Sequence, residues 1–283
     1  MVTGFQFGMA AAGHKFTASE PGLAAIDPNE SLFGGSTSIS NTSSQSEDVT
    51  LAIWFKDGDG STAGSSVADT FFRAFHTTGG TSLLGMEYQG GRMRLLGLDG
   101  SRAWAFDYLI GTYNATYGQG TYDDGNWHHL VYSRDGSNST EHLFVDGSGI
   151  SIPNGSGFAV NAGRRNFVDD PFPWQGPEFS EISVLSESTS SANNPVGCEV
   201  CQLFVDNVYY NLSDSATLQK FYNNGAVDMG SDGTGSGLSA PVMFHHGDTS
   251  TFFTNAGDGS FSYTLSTSGS GSDVSTSNGP QFA

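Results

Sequence analysis

Basic residues are scarce in this chain of 283 residues: ten Lys and Arg, only three of them lysines, stand against 29 Asp and Glu, for a formal net charge of −19. A surface of that sign repels phosphate backbones and anionic lipid, which argues against nucleic acid and membrane surfaces as partners. Long apolar runs are missing too, so no membrane-spanning helix is expected. Met1 to Gly13 lacks a basic stretch, and its apolar run, Met9 to Ala12, is too short for the core of a secretory leader. Synthesis in a cytoplasm without an export signal is the corresponding expectation, with an extracellular location as the alternative.

Cysteine is nearly absent. Cys198 and Cys201 form one Cys-x-x-Cys, but zinc would need two more soft ligands and no second pair exists. A thioredoxin-like role would need a helix after the motif, whereas here it leads into an apolar, strand-like run. Two reduced thiols or a local disulfide remain. The seven histidines include two adjacent pairs, His128-His129 and His245-His246. Neighbours on a strand point to opposite faces, so neither pair chelates by itself, and one member of each is expected to pack inward. No Ser or Cys nucleophile motif accompanies them. Asp57-Gly58-Asp59-Gly60 begins like a calcium loop but lacks the third Asp and the closing Glu.

What is abundant is turn formers and rings: 39 glycines, 21 phenylalanines and 10 tyrosines. Rings that bury about 150 to 250 Å² each can fill a two-sheet core. Helical periodicity is confined to one stretch, with Ser213 as N-cap, a helix from Asp214 to about Asn223, and Asn224-Gly225 to stop it. Strand signals dominate elsewhere. Trp127 to Asp135 and His142 to Val145 alternate β-branched and aromatic residues around a Gly/Asn/Ser turn, which predicts a hairpin.

That hairpin, Trp127-His128-His129-Leu130-Val131 answered by Leu143-Phe144-Val145-Asp146-Gly147, resembles the signature hairpin of laminin G-like and pentraxin-like domains, the concanavalin A-like jelly rolls. Cys201 to Tyr210 followed by Asn211-Leu212-Ser213-Asp214 resembles that family's late strand and short helix. Ser31 to Gly35 and Val49 to Lys56 resemble its opening strand and its aromatic-ended second strand. The resemblance covers roughly residues 30 to 225. It implies an all-β, concanavalin A-like jelly-roll sandwich of two antiparallel sheets with one short helix, and Trp54, Trp127, Phe144 and Phe204 in or beside the core. The expected division is an N-terminal arm (1–29), a sandwich (30–230) and a C-terminal extension (231–283) packing on the sandwich or on a neighbouring subunit.

The same resemblance carries several functions. Glucanases of this fold use a Glu-x-Asp-x-x-Glu strand, and no such string occurs. The cluster Glu178-Phe179-Ser180-Glu181, with Glu187 beyond, reads as solvated loop charges, so no catalytic residues and no cofactor are assigned. Related domains bind calcium at the sandwich rim, which leaves Asp57 and Asp59 as weak calcium candidates beside the simpler acidic turn. Lectin activity would need exposed rings at a loop rim, and Trp104, Tyr113, Tyr117 and Trp174 are the candidates for glycans.

The ends add a further expectation. Phe5, Phe7 and Phe16 make residues 1 to 20 apolar for a free terminus and suit an assembly arm. Pro241 to Asp248 and Phe252 to Phe261 resemble a segment that follows laminin G-like domains in tailed-phage virion proteins. The leading expectation is therefore a virion structural protein, a capsid decoration or other exposed component made in the host cytoplasm. Its partners would be the major capsid or other virion proteins and further copies of itself, with a trimer favoured. A lectin-like adhesion module is the alternative, and a glycoside hydrolase the remote one.

Overall fold

The computed structural model describes residues 22–27, 34–36, 48–56, 69–76, 82–88, 92–98, 104–111, 113–114, 119–135, 138, 140–150, 179–184, 198–248, 251–252, 254–258 and 275–282. The strands in chain order are β1 (Gly22–Asp27), β2 (Gly34–Ser36), β3 (Val49–Lys56), β4 (Asp69–His76), β5 (Ser82–Tyr88), β6 (Met93–Leu98), β7 (Trp104–Ile110) and β8 (Tyr113–Asn114). They continue with β9 (Gln119–Gly120), β10 (His128–Asp135), β11 (Thr140–Val145), β12 (Ser148–Gly149), β13 (Phe179–Val184), β14 (Glu199–Asp206), β15 (Met243–His245) and β16 (Ser275–Gln281). The large sheet runs β12-β11-β10-β3-β14-β1-β16, with β15 also on β14, and the second runs β2-β13-β4-β5-β6-β7. Every named strand pair is antiparallel. The expected two-sheet sandwich is the fold.

The sheets meet through aromatic side chains. Phe55 of β3 lies 5.9 Å from both Phe71 of β4 and Tyr88 of β5, centroid to centroid. Register assigns the faces. His128, Leu130, Tyr132 and Arg134 stand opposite Phe55, Ile53, Leu51 and Val49, so these residues share the face toward the second sheet. The other face holds Trp54, Ala52 and Thr50 opposite His129, Val131 and Ser133.

That other face is buried as well, because residues after β14 fold back over it. Phe204, Leu212, Phe221, Met229, Leu238 and Phe244 pack with Ala52 and Val131 into a second core. Phe204 is edge-on to Phe221 at 5.3 Å and to Phe244 at 6.4 Å. Each ring withdrawn from water contributes on the order of 1.5–3 kcal/mol. Burial on both sides explains why β3, β10 and β14 are covered along almost their whole length instead of alternating.

A bulge in β14 fits the strand to this task. Cys201 faces Trp54 and Phe204 faces Ala52, so three steps on β14 span two on β3. Gln202 takes up the extra residue with φ 48°. Strict alternation would put Cys201 and Phe204 on opposite faces, whereas the bulge aims both at the covering segment. Both cysteines are buried and form no disulfide, and burial pushes the Cys201 thiol far up.

Several expectations need correction. The helix is a single turn, α1 (Ser215–Leu218), and its N-cap is Asp214, whose carboxylate accepts the Ala216 N–H. Ser213 is instead tied to Asn211, whose Oδ1 accepts both its N–H and its hydroxyl. Hydrogen bonds from Lys220, Phe221 and Tyr222 back to Thr217 and Leu218 continue the coil without a second regular turn. Among the described residues the first strand is β1, inside the stretch expected as an arm, and it pairs with β16 near the other end of the chain. β15 and β16, from the expected extension, are likewise members of the large sheet. Glu181 lies in β13, opposite Ser36 and Phe75, not in a loop. Trp54 and Phe204 are buried as expected, while Trp127 and Phe144 are partly buried against the outer-face clusters.

Candidate functional site

The signature hairpin converges with two loops at one end of the sandwich. β11 and β12 are joined by Asp146-Gly147, with φ 50° and 72° and Val145 paired to Ser148. These are the left-handed values of a two-residue hairpin turn for which Asp-Gly is a preferred sequence. The turn places the Asp146 carboxylate beside the start of β10. Its Oδ1 accepts the His129 N–H at 2.8 Å, and its Oδ2 lies 2.8 Å from His128 Nδ1. The Asp146 N–H donates to the His129 carbonyl at 2.9 Å. One aspartate thus fastens the hairpin at the end away from its tip.

The second loop, residues 121–127, supplies Asp124 and Tyr122. Asp124 Oδ1 accepts the Asn126 N–H at 2.9 Å and lies 3.0 Å from His128 Nε2. Tyr122 is buried edge-on to Phe55 and His128, with centroids at 5.8 and 5.1 Å. Burial and the Asp146 charge push its hydroxyl up to about 12. Burial pulls His128 down, but the hydrogen bonds and charges of Asp146 and Asp124 outweigh it and raise its pKa. Burial likewise works to raise Asp124, and the bonds from Asn126 and His128 overcome it and lower the carboxyl.

His129 points the other way, as strand alternation requires. Its ring lies 4.8 Å from Trp54 and 5.7 Å from Tyr222, and Tyr222 stacks on Trp54 at 5.8 Å. Burial drives His129 down to about 3, so it is neutral. Lys56, paired with Glu199, sits 5.9 Å above the Trp127 ring at the edge of this patch. The second histidine pair divides in the same way. His245 is buried with Nδ1 2.6 Å from the Phe252 carbonyl, while His246 reaches the Ser231 carbonyl at 3.0 Å.

The chemistry open to this end is limited by its bonding. Both ring nitrogens of His128 lie at hydrogen-bond distance from carboxylates, and His129 is walled in by rings. Among the described residues no group of three or more His, Cys, Asp or Glu is arranged to hold a metal ion, and no helix is long and apolar enough to cross a membrane. Of the ring candidates, Trp104 begins β7 at one edge of the second sheet and Tyr113 begins β8, paired with Gly120. Tyr117, Trp174, Asp57, Asp59, Phe5, Phe7, Phe16, Glu178 and Glu187 lie outside the described residues. Asp124 belongs to no sequence motif, while Asp206 stands in the fragment that resembles the family's late strand with its acidic residue. Asp146 stood in the quoted motif, but only its family pattern, not its bonding, drew attention to it.

Asp206 closes β14 and is 1 % exposed. It accepts the Asn207 N–H at 2.8 Å and the Tyr210 hydroxyl at 3.1 Å. Burial pushes its carboxyl up to about 7; the charge of Asp258 adds to this, and hydrogen bonds from Asn207, Tyr210 and Val242 oppose it.

A two-sheet antiparallel sandwich with this hairpin belongs to the jelly-roll class. Residues 33–179 match the laminin G model of the concanavalin A-like lectin/glucanases superfamily, and the chain belongs to that family. Among solved structures, the ligand-binding domain of botulinum neurotoxin serotype D in complex with N-acetylneuraminic acid is 12% identical with a TM-score of 0.42, covering 62% of this chain and 37% of that one. A Trypanosoma rangeli sialidase in complex with sialic acid is 18% identical with a TM-score of 0.36, covering 60% and 22%. The chain spans well under half the length of either protein. No curated protein sequence matches it.

Proposed function

We propose that this protein is a non-catalytic carbohydrate-binding module displayed on a phage particle. The observation that carries the glycan reading is membership of the lectin/glucanase superfamily without the Glu-x-Asp-x-x-Glu strand of its glucanases. The histidine-rich end adds support, because His128 is engaged on both nitrogens in fastening the loop and the turn through Asp124 and Asp146. Neutral glycans suit the net charge of −19 better than anionic ones.

Display on a virion rests on the apolar residues Phe5, Phe7 and Phe16 and on the resemblance of Pro241 to Phe261 to segments of tailed-phage proteins. The particle and further copies of the chain are the partners this reading assigns. The test is an array of neutral and sialylated oligosaccharides, together with a reducing-sugar assay on laminarin and β-glucan with and without calcium. Retention on neutral glycans without sugar release is the expected result. Binding to none of them, or turnover abolished by Glu178→Gln or Glu181→Gln, would overturn the reading.

A further inference from the structure

The tip of the loop before β10 is exposed at Asp124, Gly125 and Asn126, yet it is tied to the sandwich through a partly buried ring. His128 Nε2 meets Asp124 at 3.0 Å while Nδ1 meets Asp146 at 2.8 Å. Two carboxylates accept hydrogen bonds and donate none, so both bonds exist together only when the ring carries two N–H groups and a positive charge. A neutral imidazole keeps one N–H and turns a lone pair toward the other carboxylate. We propose that His128 is a pH-released latch, holding the loop 121–126 to the β11–β12 turn as an imidazolium and letting the loop go when it loses its proton.

The bond that breaks is the one to Asp124. Asp146 is held independently by the His129 N–H and by its own N–H on the His129 carbonyl. The Asp124 bond is the longer, and its side chain is the more exposed, 45% against 38%. The other groups around the ring do not compete for the proton. Tyr122, from the loop, stays neutral, and Phe55, from β3, carries no charge. On the opposite face of the sheet His129 is neutral, and Lys56 is occupied with Glu199. Release therefore depends on one ring and two carboxylates and frees a segment that ends at Trp127.

The latch is independent of whether the module binds sugars. Its test is the ¹⁵N NMR titration of the His128 ring in the full chain, combined with hydrogen exchange of residues 121–127 corrected for the intrinsic effect of pH. The expected result is a ring doubly protonated at pH 6, a midpoint above the ordinary 6.5, and a loss of loop protection of about tenfold across that midpoint. Asp124→Asn should lower the midpoint and make loop protection independent of pH. A wild-type midpoint at or below 6.5, or loop protection unchanged from pH 6 to pH 9, overturns the latch, and both are read without any variant.

Discussion

The edge of the Tyr222 ring abuts Gly147: a Cβ built on that glycine would stand 2.6 Å from two carbons of the ring. The contact joins the turn after the signature hairpin to the segment that covers the large sheet. It also explains why the Asp-Gly pair ends in glycine, because the position has φ 72° and no room for a side chain.

Gly147→Ala should therefore destabilise the protein by about 1–3 kcal/mol, the range for a side chain forced into left-handed backbone, with the ring collision adding to it. Chemical denaturation measures the loss. In a Tyr222→Ala background the collision disappears, so the same substitution should cost measurably less. Equal costs in both backgrounds would mean that the ring does not set the requirement.

Asp206→Asn tests the buried carboxyl at the end of β14. Its folded pKa of about 7 lies above the ordinary value of 3.8, so the folded state holds the proton that the unfolded state loses. This group's contribution to stability is full below pH 3.8, declines as pH rises from there to about 7, and is absent above, at up to roughly 1.4 kcal/mol per pH unit. The amide removes that slope. Near pH 8 the variant should be more stable than the parent, and near pH 4 the advantage should vanish. A variant less stable at pH 8 would show the carboxylate to be a favoured partner of Tyr210 and Asn207.

The layout of the sandwich was legible because its signals are local. The hairpin pairs Leu130 with Val145 and Asp135 with Thr140, as its alternation and turn residues imply. Three features were hidden for physical reasons. The bulge at Gln202 requires positive φ from a residue with no preference for it, and it alone brings Cys201 and Phe204 to one face. The pairing of β1 with β16 joins a short strand of mostly small apolar residues to a polar one from the other end of the chain, and neither carries an alternating pattern. The clasp on His128 joins residues 124 and 146 across a hairpin, and each looks alone like an ordinary turn aspartate.

Removal of residues 1–16 tests the assembly arm. Strand β1 begins at Gly22, so the truncation spares it and its pairs with β14 and β16. Circular dichroism and melting should be unchanged. If Phe5, Phe7 and Phe16 bury against a partner, at roughly 1.5 to 3 kcal/mol for each ring, the truncated chain should lose trimer formation or incorporation into particles by mass measurement and particle composition. Full occupancy without these residues would remove the arm from the proposal.

The acid limb of the stability curve should belong to the two buried histidines. His129 and His245 are driven by burial down to about 3 and about 4, below the ordinary 6.5, so the unfolded state binds protons that the folded state refuses. Their contribution is complete above pH 6.5 and falls as the pH drops toward those values, by up to roughly 1.4 kcal/mol per unit for each ring. Asp206 slopes the opposite way over much of the same window, but two rings outweigh one carboxyl. His128, with its raised pKa, adds a decline above 6.5. These four groups together place the maximum near pH 6.5. His129→Phe preserves a ring between Trp54 and Tyr222 while removing one titration, so it should shift acid unfolding to lower pH with little change at pH 7. Denaturant midpoints from pH 3 to pH 8 decide the matter: an unchanged acid limb would show that His129 accepts its proton inside the folded protein.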